Sequence, residues 1–207
     1  ESGQRAAQAL VQGLSINQSH KVLEVGCGVA RIGRELAPHC GEWWGCDISS
    51  SIIRIAKQRT AHLKNVNLKV LSDNSLRDFN DNEFDRVYCH AVFMHIPQID
   101  IFAYIKEMGR VTKPGGLIFY DALNLSTEEG WARFVWEIEH YKGREVRPIH
   151  HSRFATPQEL IIFTRKAGLQ LLYCLTPKFF VQIVATKAEG SKEELRKLVD
   201  PEALAFI

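Results

Sequence analysis

The stretch Lys21-Val22-Leu23-Glu24-Val25-Gly26-Cys27-Gly28-Val29-Ala30-Arg31 decides the fold of this chain. Residues 21–25 are typical of a short buried strand, and the glycines that follow turn the chain into a helix predicted to start near Ala30. Glycines in such a turn let backbone N–H groups come close to a ligand. The place of a third glycine in the dinucleotide pattern, three residues after Gly28, is taken by Arg31, which counts against NAD.

Two carboxylates indicate a different ligand. Glu24 stands two residues before Gly26 in an otherwise apolar run, where a carboxylate needs a cation or several hydrogen-bond donors. Asp47 ends a second apolar stretch nineteen residues beyond Gly28, which is the spacing of the acid that accepts the two hydroxyls of a ribose. A ligand that has an ammonium group and a ribose but no diphosphate points to S-adenosylmethionine.

Strands and helices alternate along the first 121 residues, which predicts a parallel sheet with helices on both faces. Further strands are predicted over 66–71, 84–88 and 117–120, and helices over 3–14, 50–60 and 98–111. After Asp121, capping patterns at Ser126 and Thr156 each predict a helix. The first of these has Trp131, Phe134, Val135 and Ile138 on one face. A hairpin over 169–175 and 179–186 and an amphipathic helix over 191–206 complete the chain.

Five short motifs follow one another in the chain: Glu24-Val25-Gly26-Cys27-Gly28, Asp47, Ser72-Asp73-Asn74, Phe84-Asp85-Arg86-Val87 and Lys113-Pro114-Gly115-Gly116. In their order and spacing, over residues 20–121, the chain resembles the class I S-adenosylmethionine-dependent methyltransferases of small molecules. This resemblance implies a Rossmann-like, seven-stranded, mostly parallel sheet with one antiparallel strand. It also implies one methyltransferase domain over 1–187, with residues 122–156 as an acceptor-binding insertion, followed by a C-terminal helix over 188–207.

The resemblance also assigns residues to the cofactor. Asp73 is expected to accept a hydrogen bond from the adenine amino group, Ile48 to pack beside the adenine and ribose, and Cys89 to contribute its backbone. A solvated turn is the alternative for Asp73, and the protein core for Ile48. The full set of expected cofactor-binding residues is Glu24, Gly26, Cys27, Gly28, Asp47, Ile48, Asp73, Asn74, Cys89 and His90.

Histidines are the candidates for a catalytic base. His95 lies in the loop after the fourth strand, where similar enzymes place residues near the reactive methyl group, and His150 and His151 lie in the insertion. His90 and His140 compete for the same role, and a purely structural histidine is the alternative for each of them. No metal site is expected, because adjacent histidines rarely point the same way and no third ligand has a recognisable spacing.

The acceptor is expected to be a small molecule with an O, N or C nucleophile. A basic stretch over 142–153, whose only acid is Glu145, indicates an anionic acceptor or a solvated loop. Two alternatives to this function stay open. One is a methyltransferase that acts on RNA or protein, and the other is a domain that binds the cofactor without catalysis. The sequence leaves the oligomeric state open.

Composition sets the outer limits. The 207 residues are 45% hydrophobic, enough to bury the core of one domain. A net charge of +2 gives no general signal for nucleic acid or a membrane surface, and no apolar run approaches the roughly 20 residues of a membrane span. Five cysteines without a pairing pattern predict reduced thiols and a cytoplasmic location.

Overall fold

A mixed β-sheet forms the centre of the computed structural model, which describes residues 2–73, 75–143 and 152–207. Its strands are β1 (Lys21–Val25), β2 (Glu42–Asp47), β3 (Val66–Val70), β4 (Phe84–Cys89), β5 (Thr112–Asn124), β6 (Phe154–Ala155), β7 (Gln170–Leu175) and β8 (Phe180–Thr186). The order across the sheet is β3-β2-β1-β4-β5-β8-β7, and only β8 runs antiparallel to its neighbours. The expected seven-stranded fold class is confirmed, with the two-residue β6 as an additional strand beside β5.

Helices cover both faces of the sheet. They are α1 (Ser2–Gly13), α2 (Gly33–Leu36), α3 (Ser50–Thr60), α4 (Gln98–Val111), α5 (Glu128–Tyr141), α6 (Pro157–Lys166), α7 (Lys192–Arg196) and α8 (Pro201–Leu204). One core cluster joins the sheet to α4 and α6, and a second joins it to α1 and α3. Successive residues of β1 divide between the two clusters, Leu23 in the first and Val22 in the second, because side chains alternate along a strand.

Helix starts follow local capping chemistry. Ser49 accepts a hydrogen bond from Ile52 N and caps α3, and Thr156 accepts one from Glu159 N and caps α6, as the sequence predicts. The helix after β4 and the closing hairpin are confirmed as well. The cap of α5 is Thr127 rather than Ser126, one residue later than predicted.

Two predicted helices differ in the structure. The helix expected near Ala30 begins only at Gly33, because Ala30 itself has a left-handed φ of 56° that cannot continue a helix. The single helix predicted over 191–206 is wrong, since α7 ends at Arg196 and α8 starts at Pro201. Asp200 caps α8 and Pro201 occupies its first turn, a start signal that was readable in the sequence. Leu204 of α8 is fully buried against α1.

Within residues 2–73, 75–143 and 152–207, the structure contains no helix with the length and apolar character that crossing a membrane requires. All five cysteines are free, and four of them are buried. Burial raises the pKa of the buried thiols, to about 12 at Cys40, so none of these four is readily ionised.

Candidate active site

The carboxyl ends of β1, β2, β4 and β5 meet along one edge of the sheet, where ligands bind in parallel α/β folds. A cleft of about 250 Å³ opens beside the ends of β1 and β4. Its lining consists of Glu24, Gly26, Cys27, Gly28, Val29, Arg31, Ile32, His90, Ala91 and Val92. Five of the expected cofactor-binding residues, Glu24, Gly26, Cys27, Gly28 and His90, are therefore brought together in one place.

The glycine turn after β1 is built for close approach of a ligand. Gly26 and Gly28 have left-handed φ values of 73° and 53°, and the amides of Gly26 and Cys27 both donate to Cys46 O. A Cβ atom at Gly28 would meet no protein atom within 4 Å, so this position faces open space. The third left-handed residue of the turn is Ala30, while Arg31 occupies the place of the third glycine in the dinucleotide spacing.

Glu24 is a buried carboxyl group that lines this cleft. It is 4% exposed, and its Oε2 accepts a hydrogen bond of 2.7 Å from the hydroxyl of Tyr88, its register partner on β4. Tyr88 in turn accepts a hydrogen bond from Trp43 Nε1 at 3.2 Å. Burial raises the pKa of Glu24 from 4.5 to about 7, and the Tyr88 hydrogen bond only partly opposes this. Such a group gains most from a cationic ligand, as the sequence predicts.

Asp47 joins the glycine turn to the start of α3. Its Oδ2 accepts a hydrogen bond from Gly28 N at 3.1 Å, and its Oδ1 accepts one from Ser49 N at 2.9 Å. The carboxylate is thus fixed at the end of β2 beside the cleft, where a ribose would require it. The next residue, Ile48, is 65% exposed, so it is not part of the core and its side chain is accessible to a ligand.

The carboxylate of Asp73 is occupied by its own turn. Its Oδ1 accepts hydrogen bonds from the amide and the hydroxyl of Ser75, and its Oδ2 forms an ion pair with Arg77. It does not line the cleft described above. The adenine contact of Asp73 therefore stays a prediction, and Asn74 lies outside the described residues.

His90 and Asp121 form a pair that the sequence analysis did not find. Cys89 and Tyr120 are register partners on β4 and β5, so the next residue of each strand lies at the same edge of the sheet. There, His90 Nδ1 lies 2.5 Å from Asp121 Oδ2, and Asp121 Oδ1 accepts a hydrogen bond from Ala91 N at 2.8 Å. The sequence signal that could have predicted this pair is that His90 and Asp121 each directly follow an apolar run on neighbouring strands.

Cys89 ends β4 immediately before this pair. Its side chain is fully buried, and burial raises its pKa well above the ordinary value. Burial thus disfavours a thiolate nucleophile at this position. The expected contribution of Cys89 through its backbone stays a prediction.

Of the three histidines expected to be catalytic, His95 is among the residues that the structure describes. His95 is exposed in a one-turn helix over Phe93–His95 and does not line the cleft. His150 and His151 lie outside the described residues, together with Arg144 and Arg147. No group of three metal-ligating side chains occurs in the part of the chain that the structure describes.

Ser152 and Arg153, at the end of the expected insertion, bond to α5 and to the loop after β4. Arg153 N donates to Met94 O at 2.8 Å, next to His95, and Ser152 N donates to Glu137 Oε2 on α5 at 2.9 Å. On α5 only Phe134 of the predicted apolar face packs inward, with its ring 5.3 Å from that of Phe154. The other three members of that face are exposed: Trp131, Val135 and Ile138.

Comparison with known proteins agrees with this geometry. Residues 22–116 match the family model described as a methyltransferase domain. A ubiquinone biosynthesis O-methyltransferase of Idiomarina loihiensis is 29% identical, over 72% of this chain and 61% of that protein. A demethylmenaquinone methyltransferase of Staphylococcus haemolyticus is 33% identical, also over 72% of this chain and 61% of that protein. The chain thus spans about three fifths of the length of these curated relatives.

A solved structure supports the fold. The S-adenosylmethionine-dependent methyltransferase from Methanosarcina mazei superposes with a TM-score of 0.66 at 22% identity, covering 84% of this chain and 95% of that one. This likeness concerns the architecture, whereas the family match includes the glycine turn and Asp47. Over residues 22–116 the chain thus matches a methyltransferase domain, and as a whole it is similar to S-adenosylmethionine-dependent methyltransferases with a cleft at the same strand ends where parallel α/β folds bind ligands.

Proposed function

We propose that this chain transfers a methyl group from S-adenosylmethionine to a small-molecule acceptor. The observation that carries the proposal is the buried carboxyl of Glu24 in a cleft beside the open face of Gly28 and the fixed carboxylate of Asp47. Glu24 matches an ammonium group, Asp47 matches a ribose, and Gly28 leaves room for the ligand to approach the backbone. NAD has no ammonium group that could donate hydrogen bonds to Glu24.

The residues present fit the cofactor. Glu24 would bind its ammonium group and Asp47 its ribose hydroxyls, and the open side of Gly28 would let the cofactor approach the backbone closely. When bound, the cofactor supplies a methyl group that its sulfonium already makes electrophilic. The protein therefore has to orient the acceptor, exclude water and accept a proton where the nucleophile begins protonated. Tyr88 and Trp43 contribute by holding Glu24 in one orientation.

The chemical class of the acceptor is proposed from the relatives and from the expected insertion over 122–156. One relative named above is an O-methyltransferase of ubiquinone biosynthesis and the other a demethylmenaquinone methyltransferase, which supports a quinone-related ring compound as the acceptor. The basic residues over 142–153 support an anionic group on it. A panel that pairs ring-hydroxylated carboxylic acids with their methyl esters tests both points by product mass. A consistent preference for the esters would contradict the anionic acceptor.

Gly28→Ala is expected to weaken binding of S-adenosylhomocysteine by about tenfold or more, because its Cβ would project into the space reserved for the ligand. Gly168→Ala is the matched control, since Gly168 has a similar left-handed φ of 78° and equally open surroundings, but lies at the end of α6. Both variants should lose about 1 kcal/mol of stability for the backbone conformation. Calorimetry measures the affinities; equal affinities in the two variants would remove the cleft assignment.

A cytoplasmic location is proposed from the thiols. Alkylation of the native and the denatured protein, followed by mass measurement, should find five free thiols after denaturation. In the native protein, half-exposed Cys174 should react first, since the other four are buried. A stable loss of two hydrogens per cysteine pair would point to an oxidising compartment instead.

A further inference from the structure

The His90–Asp121 pair has the construction of a proton acceptor. Asp121 is completely buried, and both of its oxygens are held, one by His90 and the other by Ala91 N. A carboxylate on Nδ1 keeps a proton on that nitrogen, so the neutral ring has Nε2 free of a proton. His90 lines the same cleft as Glu24 and Gly26. The ring nitrogen left for a ligand is therefore Nε2.

The charges around His90 favour its protonated form. Burial alone would lower its pKa, but the charge and hydrogen bond of Asp121 outweigh burial and raise it above the usual 6.5. The other charged groups that act on it are Glu24, on β1, which also raises the pKa, and Arg31, in the glycine turn, which lowers it. A histidine adjusted in this way can both accept a proton near neutral pH and keep it while a product leaves.

We propose that His90 is the general base that takes the proton from a hydroxyl group of the acceptor, with Asp121 as its positioning residue. The inference deepens the proposed function and rests on it. The acceptor oxygen forms a bond to the methyl carbon, while the carbon–sulfur bond of the donor breaks and its electron pair stays on sulfur. The hydroxyl proton passes to His90 Nε2 and later to water. Oxygen is the methylated atom in this proposal, because a hydroxyl begins protonated and the Idiomarina loihiensis relative is an O-methyltransferase.

His90→Gln separates this role from cofactor binding. Glutamine can still hydrogen-bond to Asp121 but cannot accept the proton, so kcat should fall about 100- to 10,000-fold. The affinity for S-adenosylhomocysteine, measured by calorimetry, should change by less than about threefold, a free energy of about 0.7 kcal/mol. His62→Gln is the matched control, because His62 is exposed in the turn after α3, away from the cleft, and should keep wild-type values.

The pH dependence gives a second readout that a merely structural role would not move. The rate should rise with pH through the pKa of His90, which nuclear magnetic resonance of the imidazole reports directly in the complex with S-adenosylhomocysteine. Asp121→Asn should lower that pKa and shift the acidic limb of the rate profile to lower pH. If Asp121→Asn does not fold, the kcat and affinity of His90→Gln decide the question alone.

The possible outcomes separate the two proposals. Unchanged kcat in His90→Gln overturns the base, and so does a loss that appears equally in S-adenosylhomocysteine affinity, since His90 then serves the cofactor. Methylation of carbon by the wild-type protein overturns the hydroxyl acceptor while the proposed function stands. A wild-type protein that binds S-adenosylhomocysteine but methylates none of the ring-hydroxylated acids or esters overturns the proposed function, and this inference with it.

Discussion

Replacing Glu24 with Gln is expected to stabilise the ligand-free protein at pH 8 by up to about 3 kcal/mol. Glu24 is 4% exposed, and burial raises its pKa from 4.5 to about 7. The folded state therefore holds a proton that the unfolded state has lost, and the stability of the wild-type protein falls as pH rises from about 4.5 to about 7. Above that range the loss is complete, and Gln avoids it because it carries no charge.

Urea unfolding at pH 5 and pH 8 measures this effect. The wild-type protein should lose stability between the two values relative to Glu24→Gln, since the other titrating groups are common to both. Glu189→Gln is the control, because Glu189 is an exposed carboxylate near the end of the sheet and should behave as the wild type. If the free energy of unfolding changes equally between pH 5 and pH 8 in the wild type and in Glu24→Gln, the carboxyl of Glu24 is not desolvated in the folded protein.

The same substitution should cost about 1.5 to 3 kcal/mol of S-adenosylhomocysteine binding, as for the loss of a charged hydrogen bond. An ammonium ligand needs the ionised carboxylate, so wild-type affinity should rise with pH up to about 7 and then level off. Binding at pH 6 should release a proton, which calorimetry in buffers of different ionisation enthalpy detects. Glu24→Gln should abolish both the pH dependence and the proton release. A substitution that stabilises the folded protein but weakens ligand binding is common at binding sites.

Trp43→Ala is expected to destabilise the protein by about 3 to 5 kcal/mol, as for other fully buried large side chains. The ring is completely buried in the core cluster with α1 and α3, and it lies directly against Gly33 and Gly45. Its Nε1 also donates to Tyr88, so the truncation leaves that hydroxyl without one partner. The cavity and the broken hydrogen bond add to one another.

Trp136→Ala is the matched control for this truncation. Trp136 is 49% exposed on α5 and stacks on His140 with a ring-centre distance of 4.6 Å. Its loss should cost less than about 1 kcal/mol, because little of the side chain leaves a packed environment. Chemical denaturation compares the two variants. Similar midpoints would mean that the face of the sheet under α1 and α3 is not the packed core that the structure shows.

Short-range chemistry explains why much of the fold follows from the sequence. The apolar run before Gly26, the caps at Ser49 and Thr156 and the hairpin before Thr186 depend on residues close together in the chain. Parallel strands then bring their carboxyl ends to one edge, which is enough to place Glu24 and Gly28 in a cleft and Asp47 beside it. The same reasoning did not predict that the helix over 191–206 is interrupted before Pro201, although Asp200 and Pro201 form a helix start signal of their own.

Pairing across strands is what only the tertiary structure decided. Glu24 meets Tyr88, and His90 meets Asp121, because β1, β4 and β5 lie side by side in one particular register, and a shift by one residue would turn each side chain to the other face. The sequence by itself determined a methyltransferase-like sheet and the residues at its edge. The structure decided which of them are buried, which are paired and so which proton-binding groups face the cleft, because burial and charge depend on neighbours distant in the chain.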